Sequence, residues 1–173
     1  ILELNVEEKY VWVQPGVVLD HLNDYLKPHG LWFPVDVSTS SRATIGGMSA
    51  NNSCGSRSLY YGNMVHNVLA IEAILDDGSI FNFDQINKNY LATKNNQDRL
   101  YKIIDKFIDV RQKVGSEIDA NWPTTQRRVG GYNIDLIDPE GFNSSNLLVG
   151  SEGTLSLFNK IKLKLSEIPK NKI

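Results

Sequence analysis

Apolar and polar residues change their spacing several times along this chain, and each change marks an element. Ile1-Leu2-Glu3-Leu4-Asn5 and Tyr10-Val11-Trp12-Val13-Gln14 flank a polar turn at Glu7-Glu8-Lys9 and are closed by Pro15-Gly16, which predicts two short strands. From Val17 the period lengthens. Val18, Leu19, Leu22, Tyr25 and Leu26 recur at helical spacing, with Asp20, Asn23, Asp24 and Lys27 opposite. Pro28 ends this helix because it has no N–H to donate. Segments 68–75 and 80–83 read as strands joined in a hairpin through Asp76-Asp77-Gly78-Ser79. A helix is predicted over 98–114, with an apolar stripe of Leu100, Ile103, Ile104, Phe107, Ile108 and Val114. A last strand spans about 155–165, where Ile161, Leu163 and Leu165 alternate with Lys160, Lys162 and Lys164 to make one buried and one wet face.

Between these elements the pattern lapses. Residues 34–63 are rich in Ser, Thr, Gly and Asn without sustained periodicity, and so long an irregular stretch inside a domain marks function or disorder. Residues 84–97 read as loop with at most a short helical turn, and 121–140 is irregular again. Strands and helices mix without βαβ alternation, which predicts an α+β fold whose sheet is largely antiparallel and flanked by helices.

Composition narrows the classes. The 173 residues suit one domain or a large piece of one, enough to bury about 70% of the unfolded surface. A hydrophobic content of 41% and a net charge of −2 argue against a disordered chain, and against nucleic acid or an anionic membrane as partner. No apolar run approaches the roughly 18 residues of a membrane span and no signal peptide opens the chain, so a soluble, cytoplasmic protein is expected. A single cysteine, Cys54, excludes a disulfide framework, and the three histidines lack metal-ligand spacing, so no metal is expected. The first residue is not methionine and already lies in a strand-like run, which suggests a piece of a longer protein.

The densest candidate for chemistry is Thr44-Ile45-Gly46-Gly47-Met48-Ser49-Ala50-Asn51-Asn52-Ser53-Cys54-Gly55-Ser56. Adjacent glycines let a backbone approach a ligand closely, and Ser, Thr and Asn add uncharged hydrogen bonds, as a diphosphate or the polar part of a dinucleotide requires. Composition alone favours a solvated loop. Neither G-x-x-x-x-G-K-[ST] nor G-x-G-x-x-G occurs, so a P-loop or a Rossmann site is unsupported.

The run from Pro34-Val35-Asp36-Val37-Ser38 through Thr44–Asn52 to Tyr61-Gly62-Asn63 resembles the FAD-binding domain of the vanillyl-alcohol oxidase and para-cresol methylhydroxylase superfamily. Gly131-Tyr132-Asn133-Ile134-Asp135, followed by Leu148-Val149-Gly150-Ser151-Glu152-Gly153-Thr154-Leu155, resembles the end of the same domain. The branch most resembled is that of D-lactate, glycolate and D-2-hydroxyglutarate dehydrogenases, including large bacterial members fused to iron–sulfur domains.

The resemblance implies non-covalent FAD. Pro34, Asp36, Ser38 and Ser41 would border the flavin ring and ribityl chain. Thr44, Ile45, Gly46, Gly47, Ser49, Ala50, Asn51, Asn52 and Gly55 would wrap the ribityl and diphosphate. Tyr61 and Gly62 would pack near that loop, and Gly150, Glu152 and Gly153 would close over the adenosine end. Ser156 stands where relatives often carry glycine. The chain would then be a single lobe, residues 1–173, of a PCMH-type FAD-binding domain. The other lobe, with its own glycine-rich loop, and the substrate domain would be supplied by the rest of a longer protein, and no catalytic residue is expected here. The function implied is oxidation of a D-2-hydroxy acid by hydride transfer to FAD. Two alternatives are a non-catalytic interaction lobe that needs a partner chain, and another flavoenzyme, an alcohol oxidase or a sugar-nucleotide reductase.

Other residues weigh less. His21 and His29 read as surface or packing groups, His66 as structural, Cys54 as a buried thiol, and the lysines of 160–172 as a solvated strand face and tail.

Overall fold

In the computed structural model, which describes residues 1–92 and 98–169, the chain opens with β1 (Glu3–Asn5), β2 (Tyr10–Val13), α1 (Leu19–Leu26) and β3 (Leu31–Trp32). Three short helices come next, α2 (Ile45–Ala50), α3 (Ser58–Tyr61) and α4 (Met64–Asn67). They lead into β4 (Val68–Ile74), β5 (Ile80–Phe83), β6 (Gln85–Asn87), α5 (Lys88–Ala92) and α6 (Arg99–Asn121). The chain ends through β7 (Gly141–Asn143), β8 (Leu157–Lys164) and β9 (Ser166–Glu167).

Five strands form one antiparallel sheet in the order β1-β2-β8-β4-β5. β8, late in sequence, therefore lies in the middle, with Ile161 opposite both Val13 and Ile71. Alternation along it works as the sequence predicts. Ile161 and Leu163 are fully buried, while Lys160 and Lys162 lie on the other face with their ammonium groups over the rings of Trp12, at 5.1 Å, and Tyr10, at 3.7 Å. On the buried face α1 contributes Leu19, Leu22 and Leu26 and α2 contributes Ile45 and Met48 to one core with Val11, Val13, Ile71 and Phe83. A smaller cluster gathers Ile86, Phe142, Ile104, Ile137 and Leu147 where α6 meets the β6–β7 pair.

The α+β architecture is as expected; four local expectations change. Tyr25, placed in the apolar stripe of α1, is exposed. The 34–63 stretch contains α2 and α3, with α4 directly after it, helices of six, four and four residues that are too short to show a period. α6 runs past Val114 to Asn121, because Ile118 is buried and anchors its last turns until the extended Trp122 precedes Pro123. Residues 84–92 hold β6 and α5 rather than loop, and 93–97 lie outside the described residues, as do the last lysines of the tail at 170–172. Among the described residues no helix is long and apolar enough to cross a membrane.

Candidate functional site

Helix α2 is held at both ends by backbone. Thr44 caps it, accepting the Gly47 N–H on its hydroxyl at 3.3 Å. The Ile45 and Gly46 N–H groups donate to the carbonyls of Val17 and Pro15, each at 2.8 Å. A Cβ on Gly46 would lie 2.5 Å from Pro15 Cβ, so only glycine lets the two backbones meet here. At the far end the turn at 150–153 is stitched on. The Gly150 N–H donates to Ser49 O at 2.9 Å and the Glu152 N–H to Ala50 O at 3.0 Å. Gly150 has φ +84°, and a Cβ there would sit 3.2 Å from Gly131 O. Two motifs a hundred residues apart thus become one surface.

That surface is an open groove of about 500 Å³. Thr44, Gly46, Gly47 and Ala50 form one side, Glu152 and Gly153 the other, and Pro15, Leu157 and Phe158 supply apolar wall. Ser156 also lines it, and its hydroxyl is buried without a hydrogen-bond partner among the described residues. Bare backbone, uncharged donors, an unmatched hydroxyl and apolar wall fit a ligand that joins a polar chain to flat rings, as FAD does.

A second hollow, about 580 Å³, brings Asp36, Ser38 and Thr39 against Cys54, Gly55 and Ser56. Here Asp36 has a structural task. Its carboxylate accepts the Ser56 hydroxyl at 2.8 Å and the Arg57 N–H at 3.0 Å, bracing the 54–58 loop. Cys54, expected to be buried, is half-buried at the edge of this hollow because the loop stays at the surface.

The remaining predicted residues lie elsewhere. Ile45, Ser49, Asn52, Gly150 and Pro34 are buried and line neither groove nor hollow, and Ser41 and Asn51 are exposed outside both. Tyr61 packs edge-on to Trp32 at 5.4 Å and Tyr60 at 4.8 Å. Gly62 lines a different pocket. Buried Asn52 accepts the Val65 N–H on its side-chain oxygen at 3.0 Å, which ties α2 to α4.

Sequence reasoning missed Asn133 as a support. Its amide donates to Val149 O at 2.7 Å and Asn146 O at 3.2 Å, fixing the entry to the 150–153 turn. It also missed the walls at Pro15, Leu157 and Phe158, which carry no polar signature. His66 has the structural role expected. Its Nδ1 accepts the Asn63 N–H at 3.0 Å at the start of α4, and burial, then the nearby Arg128 guanidinium, hold its pKa below the ordinary histidine value.

With this geometry in hand, comparison with known proteins is informative. The family model for the FAD binding domain matches residues 1–84. The chain is 37% identical over 98% of its length to D-2-hydroxyglutarate dehydrogenase of Haemophilus influenzae, and 36% identical over 98% of its length to that of Escherichia coli. It is 31% identical over its full length to a probable mitochondrial D-lactate dehydrogenase of Danio rerio. The chain spans 17% of the length of the two bacterial relatives and 25% of the third. A solved structure of alkyldihydroxyacetonephosphate synthase shares the fold, with a TM-score of 0.59 over 99% of this chain and 23% of that one at 17% identity. Together with the paired motifs of the groove, these likenesses place the chain in the FAD-binding domain family, as a relative of the D-2-hydroxyglutarate and D-lactate dehydrogenases.

Proposed function

We propose that the groove between α2 and the 150–153 turn holds the diphosphate and adenosine end of FAD, and that the hollow at 36–39 and 54–56 borders its ribityl chain and ring, in an enzyme that oxidises a D-2-hydroxy acid. One observation carries the reading. The two backbone bonds from Gly150 and Glu152 to the end of α2 build a single cofactor-sized surface from both sequence motifs. The family match and the dehydrogenase relatives support it.

The bare backbone of Gly46, Gly47 and Gly153 admits the cofactor closely, and the Thr44 and Ser156 hydroxyls offer hydrogen bonds without charge. Glu152, exposed at the groove, suits hydroxyl or amino donors of the adenosine end rather than phosphate, which it would repel. FAD, when bound, supplies the two-electron redox chemistry, and the protein binds and orients it. Among the described residues lining the groove Glu152 is the one ionisable side chain, and we assign it no proton transfer. The base for the substrate hydroxyl, and the other half of the diphosphate contacts, are assigned to the rest of a longer protein.

The test is titration of the purified chain with FAD, followed by quenching of flavin fluorescence and by visible bands that stay with the protein through gel filtration. Saturable binding that drops about tenfold or more in Gly47→Val is expected, since a branched side chain would fill the groove. Equal affinity in Gly47→Val would take the groove out of the cofactor site.

A further inference from the structure

Between α3, α4 and the 125–136 segment lies a smaller pocket of about 240 Å³ that shares no lining residue with the groove or the hollow. Its walls concentrate charged and polar side chains that FAD binding leaves unused. Arg128 is the most constrained of them. Its guanidinium stacks 4.9 Å from the Trp122 ring centre, and both oxygens of Asp135 accept from its Nη2, each at 2.8 Å. The side chain is only 18% exposed, yet its Nε and Nη1 keep open surface and have no hydrogen-bond partner among the described residues. Nη2 belongs to both edges through which a guanidinium grips a planar carboxylate, the Nε–Nη2 side and the Nη1–Nη2 end. With Nη2 taken by Asp135, no fork is left, and Nε and Nη1 remain as single donors that point apart.

Further single donors come from the other elements. His66 accepts the Asn63 N–H on Nδ1 at 3.0 Å, so its neutral ring carries the proton on Nε2. That ring packs on Gly62, where a Cβ would come within 2.8 Å of it, so the imidazole is fixed in place. Ser58 accepts the Gly55 N–H on its hydroxyl oxygen at 3.0 Å and keeps its own proton to give. Exposed Arg127 lines the same pocket and donates through Nη1 to Gly55 O at 3.2 Å. It does so from a left-handed backbone, φ +58°, a strain of about 1 kcal/mol for a residue other than glycine. Two arginines against Asp135, with a neutral histidine, leave the walls one positive charge in excess.

We propose that this pocket binds a phosphoryl group, as inorganic phosphate or as the head of a small phosphomonoester. A tetrahedral oxyanion carries oxygens in several directions and so meets single donors from separate elements, whereas a planar carboxylate is best held by a fork. Arg128 and Arg127 supply the charge, His66 and Ser58 the neutral hydrogen bonds, and Leu59 and Leu136 an apolar wall for a short carbon chain. A volume of about 240 Å³ holds several waters' worth of space, enough for such a molecule and too little for a nucleotide. The proposal stands apart from the FAD reading, since the two sites share no lining residue.

Nuclear magnetic resonance on the whole chain tests it, with sodium phosphate and methyl phosphate as probes and sodium acetate as the planar anion. Ionic strength is held constant with sodium chloride. Phosphate is expected to shift the His66 ring signals saturably and to raise the midpoint of their titration, because an anion beside Nε2 favours the imidazolium. Acetate is expected to move neither. The affinity is expected to fall about tenfold in Arg128→Gln and about threefold in Arg127→Gln. Tighter binding of methyl phosphate identifies a phosphomonoester as occupant, tighter binding of inorganic phosphate the free ion, and either sustains the site. The proposal is overturned by the absence of a saturable shift, by an equal response to acetate, or by undiminished affinity in a folded Arg128→Gln chain. Displacement of phosphate by FAD would also overturn it, by making the pocket part of the cofactor site. If Arg128→Gln does not fold, the exposed Arg127→Gln decides in its place: weaker phosphate binding sustains the site and unchanged binding removes it.

Discussion

The groove and the pocket lined by α3, α4 and the 125–136 segment share no lining residue, and they are built on opposite principles. The groove is made of backbone: glycines, capped helix ends and amide hydrogen bonds, with a single ionisable side chain along its walls. The pocket is made of side chains, with an ion pair, a histidine, a serine and an asparagine holding one another in place. A backbone-built site tolerates changes of charge and pH but not an added Cβ. A side-chain-built site has the reverse sensitivities. Asn133 serves both, because the amide that lines the pocket also carries Val149, one residue before the turn that walls the groove.

The comparison breaks hardest at Gly150. Valine there would have to adopt φ +84° with a Cβ 3.2 Å from Gly131 O, so a loss of about 3 kcal/mol is expected in urea denaturation, together with loss of FAD binding. A Gly150→Val chain with the normal midpoint and normal FAD affinity would mean that the turn is not the wall described. Asn133→Leu comes next. It strips two carbonyls of a buried partner, at a cost of about 2 kcal/mol, and is expected to weaken FAD binding by loosening the turn that walls the groove. An unchanged denaturation midpoint with unchanged FAD affinity would remove Asn133 as a support of that turn.

His66 sharpens the contrast in pH. Alanine is expected to cost about 1 kcal/mol near pH 8 by removing the acceptor for the Asn63 N–H, and glutamine, which can reach back to the same N–H, to recover most of it. Because the folded-state pKa lies below the unfolded value, the unfolded chain takes up the proton first. The contribution of His66 is whole above about pH 6.5 and is lost as pH falls through the lower folded value. His66→Gln should flatten that part of the stability profile measured by denaturation; an unchanged slope would assign the acid sensitivity to another group. FAD affinity is expected to stay level over the same range, and a parallel decline would show that the groove depends on the pocket's charges. The smallest effect belongs to the wet face of the sheet. Glu72, whose pKa is lowered by hydrogen bonds from Lys160 and Asn159, is partly exposed, and Glu72→Gln should cost no more than about 0.5 kcal/mol and leave both sites intact.

Much of the scaffold was legible before any coordinate. β8 announced its buried and wet faces through Ile161, Leu163 and the intervening lysines, and the β4–β5 hairpin through Asp77-Gly78, because period and turn chemistry are local properties. Both glycine-bearing motifs of the groove were recognisable as well. The short helices were not, since six residues or fewer show no period, and α2 exists through Thr44 capping and its ties to Val17 and Pro15. Asp36 illustrates a different gap. Its position could be read, but its hydrogen bonds to Ser56 and Arg57, which make it a brace, could not.

What the sequence by itself determined is a chain of mixed elements with two glycine-bearing segments suited to FAD, the first of them without charge. Only the tertiary structure decided that those segments meet, because the meeting depends on β8 entering the middle of the sheet and on the Gly150 and Glu152 amides reaching α2. The pocket owes still more to folding. Arg128, His66, Ser58 and Asn133 have no common spacing along the chain, and they meet only because α3, α4 and the 125–136 segment pack together.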